Sequence, residues 1–207
     1  MDSTHRDRLM GRVRQAFLDH GYDQLTMIGL AKACDLTRRG LYHHFSSKEG
    51  AFRDMIRWRH QLEIASGMAA GERLLAQGAA PLDALVEIFD VRYGEARRDL
   101  ERSPHAAELN YEAFGRCRDI MIASAIAFQD RLAAFLRDLG SRDLLRFKAD
   151  FAPEDAAQCL ADGARGVNQT LPPRPALTLP DRYRRMSVAV LYGCAEQPSG
   201  GTPPARS

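Results

Sequence analysis

The 207-residue sequence predicts an all-α protein, with a small N-terminal three-helix head joined to a larger helical body. Three observations lead there. Apolar residues recur at spacings of three and four wherever a period is visible. No Asn-Gly turn sits between alternating apolar residues, so the hairpin signature is missing. Helix starts carry Thr, Ser or Pro, and the first helix ends at a Gly.

The elements follow in order. Leu9, Val13, Ala16 and Phe17 form one face of a first helix that stops at His20-Gly21, where glycine suits a left-handed cap. Thr26 caps a short helix burying Met27, Leu30, Ala31 and Cys34. Asp35-Leu36 is a tight break, and Thr37 caps a second short helix, Arg38 to His44. Ser46 and Glu49 have capping-box spacing for a fourth helix running past Trp58 towards Ala65. The glycines at 67, 71 and 78 are expected to interrupt it.

In the body, Pro81 opens a helix with Leu82, Leu85, Val86, Phe89 and Tyr93 on one side. Ser103-Pro104 precedes a segment carrying Leu109, Tyr111 and Phe114. The strongest period is Met121, Ala125, Phe128, Leu132, Phe135, Leu136 and Leu139. Pro153-Glu154-Asp155 places proline and acids at a helix start, which suits the helix dipole. A last helix spans about Asp181 to Ala195. The division expected is 1–50 for the head, 51–197 for the body, and a disordered tail at 198–207, rich in Gly, Pro and Ser.

Composition bounds the function. Charged residues make up 27% and hydrophobic ones 45%, with a mean hydropathy of -0.36, as in ordinary globular proteins. The longest apolar stretch, Ile120 to Phe128, falls well short of the ~20 residues that span a bilayer. The charged N-terminus lacks the apolar core of a secretory signal, so the expected location is cytoplasmic. Residues 1–60 hold 11 Lys/Arg against 7 Asp/Glu, whereas the remainder holds 18 against 20. A basic end on a slightly acidic body points to a polyanionic partner for the first 60 residues.

The stretch from Thr26 to Phe52 is the most informative. Two short helices across a tight turn make a helix-turn-helix, whose second helix can lie in the major groove of DNA. Ala31, Leu36 and Leu41 are apolar where the two helices must touch. Thr37, Arg38, Arg39 and Gly40 open the second helix, the end nearest the base edges. Arg38 and Arg39 reach guanine O6/N7 or phosphate. Tyr42, His43, His44 and Lys48 add donors that position a protein on the backbone.

The run Leu41-Tyr42-His43-His44-Phe45, followed by Lys48-Glu49 and Phe52, closely resembles the DNA-binding domain of TetR-type, tetracycline-repressor-like regulators. The likeness covers about Arg8 to Ile56. It implies a homodimer with two heads on a double-stranded DNA operator, and a variable helical body that binds a small effector. By position it makes Thr26, Thr37, Arg38, Arg39, Gly40, Tyr42, His43, His44 and Lys48 the DNA contacts. Three residues depart from the family pattern. Gly29 stands in place of a capping acid, Asp35 in place of the turn glycine, and Gly40 in place of a recognition-helix threonine.

Effector contacts are expected among Phe89, Tyr93, Tyr111, Phe114, Met121, Phe128 and Asn168, a mixture of apolar and polar groups such as pockets use. Glu112 would select a cation and Arg165 a carboxylate. The small residues from Ala156 to Gly166 would let that helix and the last one pack against their copies in a second subunit. The four cysteines are scattered without zinc spacing, and adjacent His43 and His44 diverge by about 100° on a helix, so no metal and no cofactor is expected. Two alternatives remain open: a redox-responsive regulator sensing through Cys117 or Cys159, and a helical enzyme, for which no catalytic motif is present.

Overall fold

The computed structural model describes residues 3–195, so the expected tail at 198–207 lies outside the described residues. The helices are α1 (Ser3–His20), α2 (Met27–Ala33), α3 (Arg38–His44), α4 (Lys48–Ala76), α5 (Pro81–Phe89), α6 (Glu95–Glu101), α7 (Ala106–Arg116), α8 (Arg118–Ser141), α9 (Pro153–Asn168) and α10 (Leu179–Cys194). A π-helical turn, Asp90–Gly94, links α5 to α6, and a 3-10 turn, Ala176–Thr178, precedes α10. No strand forms among the described residues; Phe147 and Ala195 make an isolated antiparallel bridge. The all-α expectation holds. The chain forms two compact units. The first runs to Ala65 and resumes over Glu95–Ile126, and the second takes Ser66–Gly94 and the chain from Ala127 on.

The first unit is built on α1. Its three-and-four spacing puts Leu9, Val13, Ala16 and Phe17 on one buried face. Against it pack Leu30 and Ala31 of α2, Leu41 of α3, Phe52, Met55 and Ile56 of α4, and Leu109 and Ala113 of α7. Phe17, Tyr22 and Phe52 form the aromatic centre, with Phe52 edge-on to Phe17 at 4.9 Å and to Tyr22 at 5.1 Å. Each fully buried Leu or Phe contributes about 1.5–3 kcal/mol before entropy is charged against it.

The second unit gathers Leu85, Ile88 and Phe89 of α5, Phe128, Leu132, Leu136 and Leu139 of α8, Leu160 of α9, and Tyr183 and Leu191 of α10. Tyr93 meets Phe128 edge-on at 5.8 Å. The π turn carries Arg92 into this cluster, 3% exposed, with its guanidinium 4.8 Å from the Tyr93 ring and 5.8 Å from Phe128.

Two expectations need correction. Gly67 and Gly71 do not interrupt α4, which runs unbroken to Ala76; of the three glycines only Gly78, φ +84°, lies beyond its end. Both inner glycines mark close packing on α5: a Cβ on Gly67 would stand 2.9 Å from the Ile88 carbonyl oxygen. The cap of α4 is Ser47, not Ser46. The Gly50 amide donates to Ser47 Oγ at 3.0 Å, while Glu49 turns to Arg116, also at 3.0 Å. Within one chain, the small face of α9 is already in use. Ala156, Ala157, Ala161 and Ala164 are buried, α9 packs on α10, and a Cβ on Gly163 would run into Met186.

Candidate nucleic-acid interface

The α2–α3 turn shows how local chemistry sets up the exposed helix. Thr26 and Thr37 adopt extended backbone, and their hydroxyl oxygens accept from the Gly29 and Gly40 amides, each at 3.0 Å. Both expected caps are in place. Helix α2 ends when Leu36 N–H donates to the Ala31 carbonyl (2.9 Å) and Asp35 N–H to that of Lys32 (3.1 Å). That pattern needs a left-handed residue, and Asp35 supplies it at φ +56°. The turn glycine is therefore replaced by a residue that tolerates left-handed backbone at a cost. Leu41 is fully buried beneath the turn, which fixes the opposite face of α3 towards solvent.

On that face Thr37, Arg38, Arg39, Tyr42 and His43 are exposed, with His44 and Gly40 half-buried. The Arg38 guanidinium lies 5.7 Å from the Tyr42 ring centre. Thr26 is exposed at the start of α2. Lys48 behaves differently. Its ammonium donates to the Tyr22 carbonyl at 2.7 Å and to that of Asp23 at 3.3 Å, and stands 4.5 Å from the Tyr22 ring centre. These bonds tie α4 to the loop after α1, while Lys48 remains only half-buried.

Polar clamps that sequence reading missed hold this head to residues 95–126. Arg14 pairs with Asp99 at 2.7 Å, Ser103 Oγ donates to the Leu18 carbonyl at 2.6 Å, and the Asp23 amide donates to Glu108 at 2.6 Å. Arg53 forks onto Asp119 at 3.0 and 2.6 Å, and this hydrogen bonding holds the Asp119 carboxyl below its ordinary range. Arg116 binds Glu112 and lies 4.6 Å from the Tyr22 ring centre. Apart from the i,i+4 pair Arg116–Glu112, these partners are tens of residues apart and follow no period, so no local signal announces them.

The expected effector contacts are dispersed. Phe89, Tyr93 and Phe128 cluster in the second unit, where Phe89 and Phe128 are fully buried. Asn168, at the end of α9, is half-buried. In the first unit Tyr111 is 77% and Phe114 53% exposed, while Met121 lines a cavity. Glu112 is taken by Arg116, and Arg165 by Asp162 at 3.2 Å. Of the two cysteines considered as sensors, Cys117 is buried and its thiol is pushed up to about 11 by burial, which keeps it protonated at neutral pH. Cys159 is exposed on α9. Among the described residues no helix is long and apolar enough to cross a membrane, and no group of His, Cys, Asp and Glu is placed to hold a metal.

Residues 13–55 match the family model for bacterial regulatory proteins of the tetR family. No curated protein matches the chain by sequence. Among solved structures, it is similar to a TetR transcription regulator from Haloarcula marismortui, at 14% identity and a TM-score of 0.68 over 94% of this chain and 100% of that one. It is similar to SmeT, the repressor of the Stenotrophomonas maltophilia multidrug efflux pump SmeDEF, at 18% identity and a TM-score of 0.62 over 98% and 97%. A third is Thermus thermophilus FadR, a TetR-family repressor in complex with lauroyl-CoA, at 22% identity and a TM-score of 0.60 over 96% and 99%. Residues 13–55 therefore belong to the TetR family of bacterial regulatory proteins, and the helical chain that carries them has the fold of that family's solved members.

Proposed function

We propose that this chain is a cytoplasmic, homodimeric transcriptional repressor that binds an operator through α3 and leaves it when a small molecule binds. The observation that carries this reading is the exposed face of α3, where Arg38, Arg39, Tyr42 and His43 stand beyond a buried Leu41 inside a matched TetR-type head. Arg38 and Arg39 read base edges or phosphates, Tyr42, His43 and the capping Thr37 and Thr26 place the helix, and Gly40 lets backbone approach the groove. Lys48 acts by holding the loop at Tyr22 in place. Two heads on a palindromic operator stand about 34–36 Å apart, which is why a dimer is part of the proposal. SmeT, a repressor, and FadR, bound to an acyl-CoA, support repression and effector release respectively. An effector that binds better to a state with wrongly spaced heads draws the population off DNA by its differential affinity.

The test is a titration of the pure protein against its own upstream DNA and a scrambled duplex across a salt series. Tight, salt-sensitive binding of a dimer to the upstream fragment is expected. Tyr42→Ala should weaken both duplexes alike, whereas Arg38→Ala should narrow the gap between them by about 1–3 kcal/mol. Equal, weak binding to both duplexes by the unaltered protein would refute operator reading by this head.

A further inference from the structure

The first unit holds a small cavity, about 50 Å³ in volume and open to solvent, between α1, α4, α6, α7 and α8. Its lining is mostly apolar. The polar groups on it are Arg14, Arg59, His60 and Asn110, and no carboxylate belongs to the wall. Arg14 pairs with Asp99 at 2.7 Å and Arg59 with Glu63 at 2.9 Å, and Glu63 also lies 3.7 Å from His60. A guanidinium has five N–H donors, so one bound carboxylate orients it without exhausting it. The side chains of Arg59 and His60 are only 23% and 14% exposed, which places their donors where water competes weakly.

We propose that this cavity binds a small apolar monocarboxylate, with the acid on Arg59 and its neighbours and the hydrocarbon against Leu109 and Ala113. Its position gives it a direct route to the head. Phe17 and Phe52 line the cavity and are also the centre of the aromatic cluster that includes Tyr22, on which Lys48 is seated. A ligand pressing on these rings acts on the core that seats α2 and α3. Only this regulatory consequence rests on the repressor reading; the binding site does not.

Trp58, the single tryptophan, packs against the same core and reports on it. Titration of the full chain with benzoate, phenylacetate and octanoate should change its emission saturably and raise the melting midpoint, while octylamine should do neither. Arg59→Met should weaken octanoate by about tenfold, the loss expected for a charge-assisted hydrogen bond, and Arg59→Lys should retain most of the affinity. Ala113→Leu, which narrows the cavity, should also weaken it, and the melting midpoint of each variant without ligand shows that it folds. No saturable response to any carboxylate overturns the proposal. So does octylamine binding as well as octanoate, or unchanged binding in both Arg59→Met and Ala113→Leu. In parallel, octanoate should release upstream DNA from the protein. If the protein binds no duplex at all, the repressor reading fails while the emission titration still decides the site.

Discussion

Each unit of the molecule sets cationic groups against an aromatic cluster, but at opposite depths. In the first, Lys48 and Arg116 lie half-buried over Tyr22, at the edge of the Phe17–Tyr22–Phe52 cluster. In the second, Arg92 is carried by a π turn against Tyr93 and Phe128, 3% exposed. Taking a charge out of water costs several kcal/mol unless close partners offset it, so the two arrangements serve different ends. At the rim, a cation ties a loop to a helix and keeps its hydration. Inside, it commits the surrounding rings to one arrangement, which two aromatic faces help to stabilise. The first unit is thus a head stapled at its edges, and the second a core organised around a buried charge.

Removing the ring at either centre should have the largest effect. Phe52→Ala and Phe128→Ala should each lose about 3–5 kcal/mol in urea unfolding, because both rings are almost fully buried. The comparison sharpens if Phe52→Ala abolishes DNA binding at temperatures where the protein is still folded while Phe128→Ala retains it. It breaks if the two behave alike.

Glycine substitutions should change stability in opposite directions in the two units. Gly67→Ala drives a Cβ to 2.9 Å from the Ile88 carbonyl oxygen and should cost about 1–3 kcal/mol. Gly29→Ala in α2 meets only Leu25 Cδ1 and Thr26 Oγ1 at 3.5 Å, an ordinary contact, and should gain up to about 1 kcal/mol from helix propensity. Thermal melts of both variants read the difference directly. A stabilised Gly67→Ala would show that α4 does not depend on close approach there.

The clamps at the edge of the first unit should give the smallest effect. The folded Asp119 carboxyl is held below its ordinary value of 3.8 by hydrogen bonds from Arg53. Its stabilisation is therefore present above about pH 4 and is lost as pH falls through the lower folded value. Asp119→Asn should flatten the acid limb of a stability-against-pH curve below pH 4, with only a small change near neutrality because the carboxylate is solvent-exposed. An unchanged acid limb would mean that the fork of Arg53 onto Asp119 does not hold in solution.

Much of the head was legible because its signals are local. Thr26 and Thr37 cap where they were expected to, Gly21 takes a left-handed φ of +72°, and the faces of α1 and α8 follow their three-and-four spacing. The body was legible as helices but misread where packing decides. Gly67 and Gly71 looked like breaks because mid-helix glycine disfavours a helix by only about 1 kcal/mol, and close packing on α5 outweighs that. The aromatic period could not separate Phe128, fully buried, from Phe114, more than half exposed, since helical spacing does not say what lies opposite. Lys48 also donates to the Tyr22 and Asp23 carbonyls, a tie across more than twenty residues that no local spacing shows.

The sequence by itself determined the helical class, the α2–α3 turn and the donors along the outer face of α3, because capping, turn chemistry and helical period act over three to five residues. Tertiary structure alone decided that the head shares its core with residues 95–126, through Arg14–Asp99, Arg53–Asp119 and Arg116–Glu49, and that a mostly apolar cavity edged by Arg14, Arg59 and His60 lies beside Phe17 and Phe52. Such partners lie 66 to 85 residues apart. Their meeting depends on how whole helices pack, and no spacing along the chain encodes it.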